Sequence, residues 1–129
     1  MKKIYIAAYH QSEFGKLMGM TAPEIVRAAV EGACGEIGVE ASEIGTASIG
    51  AACGFTLNGQ GLLAGLIADV EGMAGKPIEA VENACASGGQ AVVSVIQKLQ
   101  LGLAETGIAV GYEKMRGADG KMDGKLIGE

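Results

Sequence analysis

Along this chain, apolar stretches with a period of two alternate with stretches of helical period, and that alternation leaves few folds open. Residues 3–9 place Ile4, Ile6 and Ala8 on one side, the pattern of a strand. Residues 11–20, interrupted by Gly15 and Gly19, read as a loop. Thr21-Ala22-Pro23-Glu24 is a capping box, with a hydroxyl and a carboxylate placed to bond each other's backbone amides. Pro23 suits a first helical turn, and Val26, Ala29, Val30, Ala33 and Ile37 then recur at helical spacing up to Gly38. Residues 44–52 read as a buried strand and residues 58–61 as a glycine-rich turn. Leu62, Leu63, Leu66, Ile67 and Val70 predict a second helix that stops around Gly72 and Gly75. Residues 77–83 look extended, with Ile78 and Val81 flanked by Glu79 and Glu82. From Ser87 a third helix runs through Ala91, Val92, Val95, Ile96 and Leu99 to Gly102, and residues 106–111 form a fourth strand.

The order strand, helix, strand, helix, strand, helix, strand predicts an α/β fold. Its sheet is mixed but mainly parallel, with helices packed on its faces. At 129 residues, with 49% apolar and 19% charged side chains, the chain supplies one ordinary core. Residues 1–116 are expected to form that domain, and residues 117–129 to begin a loop region or a truncated tail. A net charge of −5 argues against a nucleic-acid or anionic-membrane surface, and aromatics at 4% with no Trp argue against base stacking. No apolar run is long enough to span a bilayer, and the stretch after Met1-Lys2-Lys3 is too short for a signal peptide, so the expected compartment is the cytosol. Three cysteines make no closed disulfide framework, and none is in a Cys-x-x-Cys pair. A zinc site of Cys34, Cys53, Cys85 and His10 can be written down, but the spacings match no structural zinc pattern, and no metal is expected.

In sheets of this kind ligands sit beyond the carboxyl ends of strands, near helix N-termini. Two turns qualify. Gly59-Gln60-Gly61-Leu62-Leu63-Ala64 matches a dinucleotide fingerprint, with Glu79 or Glu82 at about the distance of a ribose-binding acid. Its preceding strand, however, ends near Ala52 rather than at the glycines, and a flexible lead into a helix is the plainer account. The second turn is Val81-Glu82-Asn83-Ala84-Cys85-Ala86-Ser87-Gly88-Gly89. Here a cysteine lies between a strand end and the first turn of a helix, where free amides and the helix dipole stabilise a thiolate. Ala86, Ser87, Gly88 and Gly89 are small enough for an acyl group to reach the sulfur, at the expense of helix propensity. Such a turn resembles a nucleophile elbow carrying sulfur in place of oxygen.

This run is similar to the nucleophile motif of the thiolases, and Gly111-Tyr112-Glu113-Lys114-Met115 resembles the Gly-x-Glu-x-Met segment of the same family. With the element order, the chain most resembles the first half of the branch related to sterol carrier protein X. The resemblance implies acyl transfer: the Cys85 thiolate attacks an acyl-CoA thioester, holds the acyl group and releases coenzyme A. A second acyl-CoA, deprotonated at its α-carbon, then attacks that intermediate, and the same steps reversed cleave a carbon–carbon bond. The Cys85 backbone N–H contributes to an oxyanion hole. Asn83, Ser87 and Gly88 support the turn, with capping as the plainer role for Asn83 and Ser87. Glu113 holds a loop by hydrogen bonds, against the plainer reading of a solvated carboxylate. Coenzyme A enters as the substrate's thioester, and no tightly bound cofactor is implied.

The resemblance also implies a missing half, which in the family carries the catalytic histidines and a second cysteine. His10 matches no family motif and reads as a surface histidine. Cys34 reads as a core cysteine, and Cys53, at the end of the second strand, is open between the core and the neighbourhood of Cys85. Met18, Met20, Met73, Met115 and Met122 read as core or loop filler. A homodimer, or a partner chain supplying the second half, is therefore expected, since one half alone would leave apolar surface exposed in burying both faces of a four-strand sheet. Two other functions stay open: a non-catalytic thiolase-fold subunit of a multienzyme complex, and a dinucleotide-binding domain.

Overall fold

A computed structural model describes residues 2–116, 119–122 and 124–125. Of the tail expected from residue 117, positions 117, 118, 123 and 126–129 lie outside the described residues. Helix α1 (Ala22–Ile37) starts at the expected capping box: the Thr21 amide donates to the Glu24 carboxylate at 2.7 Å, and the Glu24 amide donates to Thr21 Oγ1 at 3.4 Å. These bonds to Thr21 hold the Glu24 carboxyl below its ordinary range. Gly38, at φ +67°, closes the helix in the left-handed region. A 3₁₀ turn (Ala41–Glu43) leads into strand β1 (Thr46–Gly50).

Two short helices follow, α2 (Gly54–Asn58) and α3 (Leu63–Ala68), then strand β2 (Ile78–Val81), helix α4 (Ser87–Gln100) and strand β3 (Gly107–Gly111). The sheet has three strands in the order β2-β1-β3, all parallel, with Gly50 opposite both Val81 and Gly111. It is thus parallel rather than mixed among the described residues.

Alternation along the strands divides the sheet into two unlike faces. Ala47, Ile49, Ile78, Ile108 and Val110 join Val26 and Val30 of α1 and Leu66 and Ile67 of α3 in the main core, with Met73 fully buried among them. The other face, under α4, is built of small or polar residues: Thr46, Ser48, Gly50, Gly107 and Gly111. A Cβ at Gly107 would lie 2.6 Å from Val95 of α4. Helix α4 turns Ser87, Ala91, Val95 and Leu99 onto this floor, one residue per turn. Beyond it, Lys98 pairs with Glu79 of β2 at 2.8 Å, and Ser94 also donates to that carboxylate.

Two expectations are corrected. Residues 3–9 form no strand, and Tyr5 and Ile6 are 78% and 85% exposed; among the described residues no neighbouring strand pairs with that segment's backbone. Helix α2, expected as part of a strand-to-turn passage, was hidden by its shortness and its flanking glycines. Helices cover both sheet faces, and exposed apolar side chains among the described residues include Tyr5, Ile6, Phe14, Leu62, Leu101 and Leu103 outside the elements and Ile37, Phe55, Val92 and Val93 on helices.

Candidate active site

At the carboxyl end of the sheet, three connections meet: residues 51–54 after β1, residues 82–86 after β2 and residues 112–114 after β3. The second carries Cys85. Its turn is closed by backbone bonds from the Ala86 amide to the Asn83 carbonyl (2.9 Å) and from the Ser87 amide to the Ala84 carbonyl (3.1 Å). Ser87, only 4% exposed, turns inward: Oγ accepts from the Asn83 amide at 2.8 Å and donates to the Ala84 carbonyl at 2.7 Å. Its hydroxyl is thus engaged in the preceding turn and caps no amide of α4, whose N-cap position is Ala86, so the capping role expected of Ser87 is corrected; Asn83 serves the turn through its backbone. The Glu82 carboxylate accepts the Ala84 amide at 2.5 Å.

These bonds hold Ala84 at φ +45°, a left-handed conformation that a non-glycine residue adopts only under constraint, at about 1–2 kcal/mol. The strain falls immediately before Cys85, whose thiol is exposed. Next to it, the first turn of α4 rests directly on β1. A Cβ built at Gly50 would lie 2.0 Å from the Ser87 carbonyl oxygen and 3.0 Å from the Gly88 nitrogen, so only glycine admits this approach. Gly88 and Gly89 have open space where a Cβ would stand, leaving the side of the turn away from the sheet uncluttered.

The other two connections are tied to each other. Glu113 accepts the Ala52 amide on one carboxylate oxygen and the Cys53 amide on the other, each at 2.9 Å. Tyr112 donates its amide to the Gly50 carbonyl at 3.0 Å, and the Asn58 side chain donates to the Lys114 carbonyl at 2.5 Å. Glu113 is therefore a loop brace rather than a free surface carboxylate. Cys53 is buried, and burial first, then Glu113, Cys85 and Glu82, pushes its thiol above the ordinary range. The structure so brings Cys53 within electrostatic reach of Cys85. Cys34 stands in the core, where burial, then Glu40 and Glu43, raises its thiol as well.

Residues 4–128 match the thiolase N-terminal domain. The chain belongs to the thiolase family. Two curated relatives align with most of it. A Methanothermobacter thermautotrophicus protein named acetyl-CoA acetyltransferase is 32% identical over 115 residues, 89% of this chain and 30% of that protein. A Caenorhabditis elegans protein named non-specific lipid-transfer protein-like 2 is 31% identical over 116 residues, 88% of this chain and 27% of that protein. The chain thus spans less than a third of the length of either relative.

As a thiolase N-terminal domain, the chain has no use for the glycine fingerprint at residues 59–64. Gly59, at φ +66°, ends α2, and Gly61 precedes α3, so those glycines join two helices and no strand delivers them to a helix N-terminus. Glu79, one candidate ribose-binding acid, is held below its ordinary range by its bonds from Lys98 and Ser94. The lone histidine, His10, is exposed and lies with its ring where a Cβ on Gly32 of α1 would stand, on the face of the sheet opposite α4. No cluster of three or more metal-ligating side chains occurs among the described residues. No described helix is long and apolar enough to cross a membrane. Sequence reasoning missed Gly50, whose signal was a glycine ending a strand of small residues. It also missed Lys76, whose ammonium donates to the carbonyls of Ala41, Ser42 and Ile44 and fastens the passage into β1.

Proposed function

We propose that this chain is the nucleophile-bearing part of a thiolase-type acyl-CoA acyltransferase, with Cys85 as the residue that takes the acyl group. The observation that carries the proposal is the exposed Cys85 thiol beyond the carboxyl end of β2, on a strained, hydrogen-bonded turn that leads into α4. In this reading the thiolate attacks the thioester carbonyl, and the tetrahedral oxyanion collapses by expelling coenzyme A as its thiolate. The sulfur–carbon bond formed and the one broken are alike, so little energy separates the two thioesters. The Cys85 backbone N–H, aligned with the start of α4, contributes to the oxyanion hole, and Ser87 with Gly88 fixes where that amide stands. The space beside Gly88 and Gly89 admits the acyl chain.

Deprotonating the α-carbon of a second acyl-CoA needs a base. His10 lies across the sheet from α4, so the base comes from the second half of the enzyme, supplied by a partner chain or by further polypeptide. Association as a homodimer or with such a partner, and a cytosolic setting, belong to the same reading. Coenzyme A takes part as substrate thioester and product, with no tightly bound cofactor.

Incubation with acetyl-CoA, followed by peptide mass mapping, tests the assignment. The expected result is one acetyl group, on the peptide containing Cys85, and none in Cys85→Ala. An unlabelled Cys85 in a chain supplied with its second half sinks the acyl-transfer reading and leaves a non-catalytic thiolase-fold subunit.

A further inference from the structure

Cys53 and Cys85 stand on connections that leave neighbouring strands at the same end of the sheet. Gly50 of β1 is paired with Val81 of β2; Cys53 lies three residues past the first and Cys85 four past the second. Neither connection departs from the sheet end. Glu113 holds the amides of Ala52 and Cys53, and Ser87 folds the Asn83–Ala84 turn back on itself above Gly50. Adjacent strands run about 4.8 Å apart, so the two connections start within the roughly 4.4–6.8 Å Cα separation that a disulfide bridges. The two thiols also differ in access: Cys85 is exposed, whereas Cys53 is 8% exposed.

We propose that Cys53 is a resolving thiol for Cys85, so that a hydroperoxide converts the pair into an intramolecular disulfide that shields the exposed sulfur from irreversible oxidation. In the first step the Cys85 thiolate attacks the peroxide, the O–O bond breaks, and sulfenic acid and hydroxide form. In the second, the Cys53 sulfur attacks the Cys85 sulfur, the S–O bond breaks, and the departing oxygen leaves as water with the Cys53 proton. Two thiols together lose two electrons and the peroxide gains them. Cys53 itself is shielded from solution oxidants by burial, which together with the Glu113 carboxylate also disfavours its thiolate, so the oxidant meets Cys85 first. Cys34, in the core with α1, takes no part.

The test is stoichiometric hydrogen peroxide on the dilute chain, then iodoacetamide under denaturing conditions and peptide mapping without reductant. The expected product is a Cys53–Cys85 cross-linked peptide with Cys34 alkylated, and dithiothreitol restores both thiols. In Cys53→Ser, Cys85 passes on to sulfinic acid several-fold faster. Three wild-type outcomes overturn the proposal: Cys85 as sulfinic acid beside an alkylated Cys53, Cys85 still a free thiol, or Cys85 bridging two chains. Wild-type mapping decides even if the variant folds poorly. Its readout is sulfur oxidation, so its failure leaves acyl transfer untouched, and the reverse also holds.

Discussion

At Gly50 a methyl group would meet the Ser87 carbonyl oxygen at 2.0 Å and its carbon at 2.4 Å. Both are backbone atoms, so no side-chain rotation relieves the contact, and the first turn of α4 must lift away from β1. Gly50→Ala is expected to destabilise the fold by about 1–3 kcal/mol, the range for overpacking, seen as a lower urea midpoint. It should also reduce acetyl transfer to Cys85 at least tenfold. Gly88 is the counterpart. Nothing lies within 4 Å of its Cβ position, so Gly88→Ala gains helix propensity and stabilises by about 0.5–1 kcal/mol. If the open space receives the acyl chain, the same variant transfers longer acyl groups more slowly. A stabilised variant with unchanged acyl preference would show the space to be idle. Glu113 has a different chemistry to lose. Two oxygens accept two amides, and in Glu113→Gln one oxygen becomes an NH₂ that confronts an N–H. The expected penalty is about 1–2 kcal/mol, with Cys53 alkylating faster as its loop loosens. Equal melting temperatures and equal Cys53 alkylation would count against the brace.

Among the elements, those with a complete local signal were legible. Helix α1 had both its cap and its left-handed terminus in the sequence at Thr21, Glu24 and Gly38, and it formed between them. The paired strands β1, β2 and β3 had a short apolar or extended run plus a neighbour. Residues 3–9 had alternation alone; a strand is completed by a partner, and periodicity does not say whether one is present. The placement of Cys85 between a strand and a helix was legible from small residues at the junction, but the engagement of Ser87 depended on bonds to Asn83 and Ala84 that spacing does not encode. The bond joining β2 to α4 shows the same limit. Glu79 looked like a ligand-binding acid and is the partner of Lys98 and Ser94. Because those bonds depress the Glu79 pKa in the folded chain, its contribution is fully present above the ordinary value of 4.5 and is lost as pH falls through the lower folded value. Glu79 is partly exposed, so the pair is expected to contribute only about 0.5–1 kcal/mol. The stability gap between wild type and Glu79→Gln should therefore be steady at neutral pH and close in acid below 4.5. A gap that widens on acidification would contradict the assignment.

For the molecule as a whole, the distribution of apolar surface and the position of its lone histidine point the same way. The sheet is covered on both faces, yet Tyr5, Ile6, Phe14, Phe55, Leu62, Leu101 and Leu103 remain exposed. Apolar area removed from water stabilises by about 25 cal/mol per Å², so groups of this size favour any association that buries them. Meanwhile Cys85 lies at the sheet end and His10 across the sheet from α4, so under the proposed acyl transfer the chain would accept an acyl group with no histidine placed to begin condensation. Two outcomes follow for the isolated chain of 13.0 kDa. Light scattering should give a mass above the monomer that falls on dilution, and acetyl-CoA should label Cys85 without forming acetoacetyl-CoA. Adding the polypeptide that supplies the second half should restore condensation, and it should also suppress self-association if it covers the exposed apolar groups. Condensation by the isolated chain would place the base within it and remove the need for a second half. A monomeric mass at every concentration, with labelling intact, would separate the exposed apolar groups from assembly and leave only the missing base to argue for a partner.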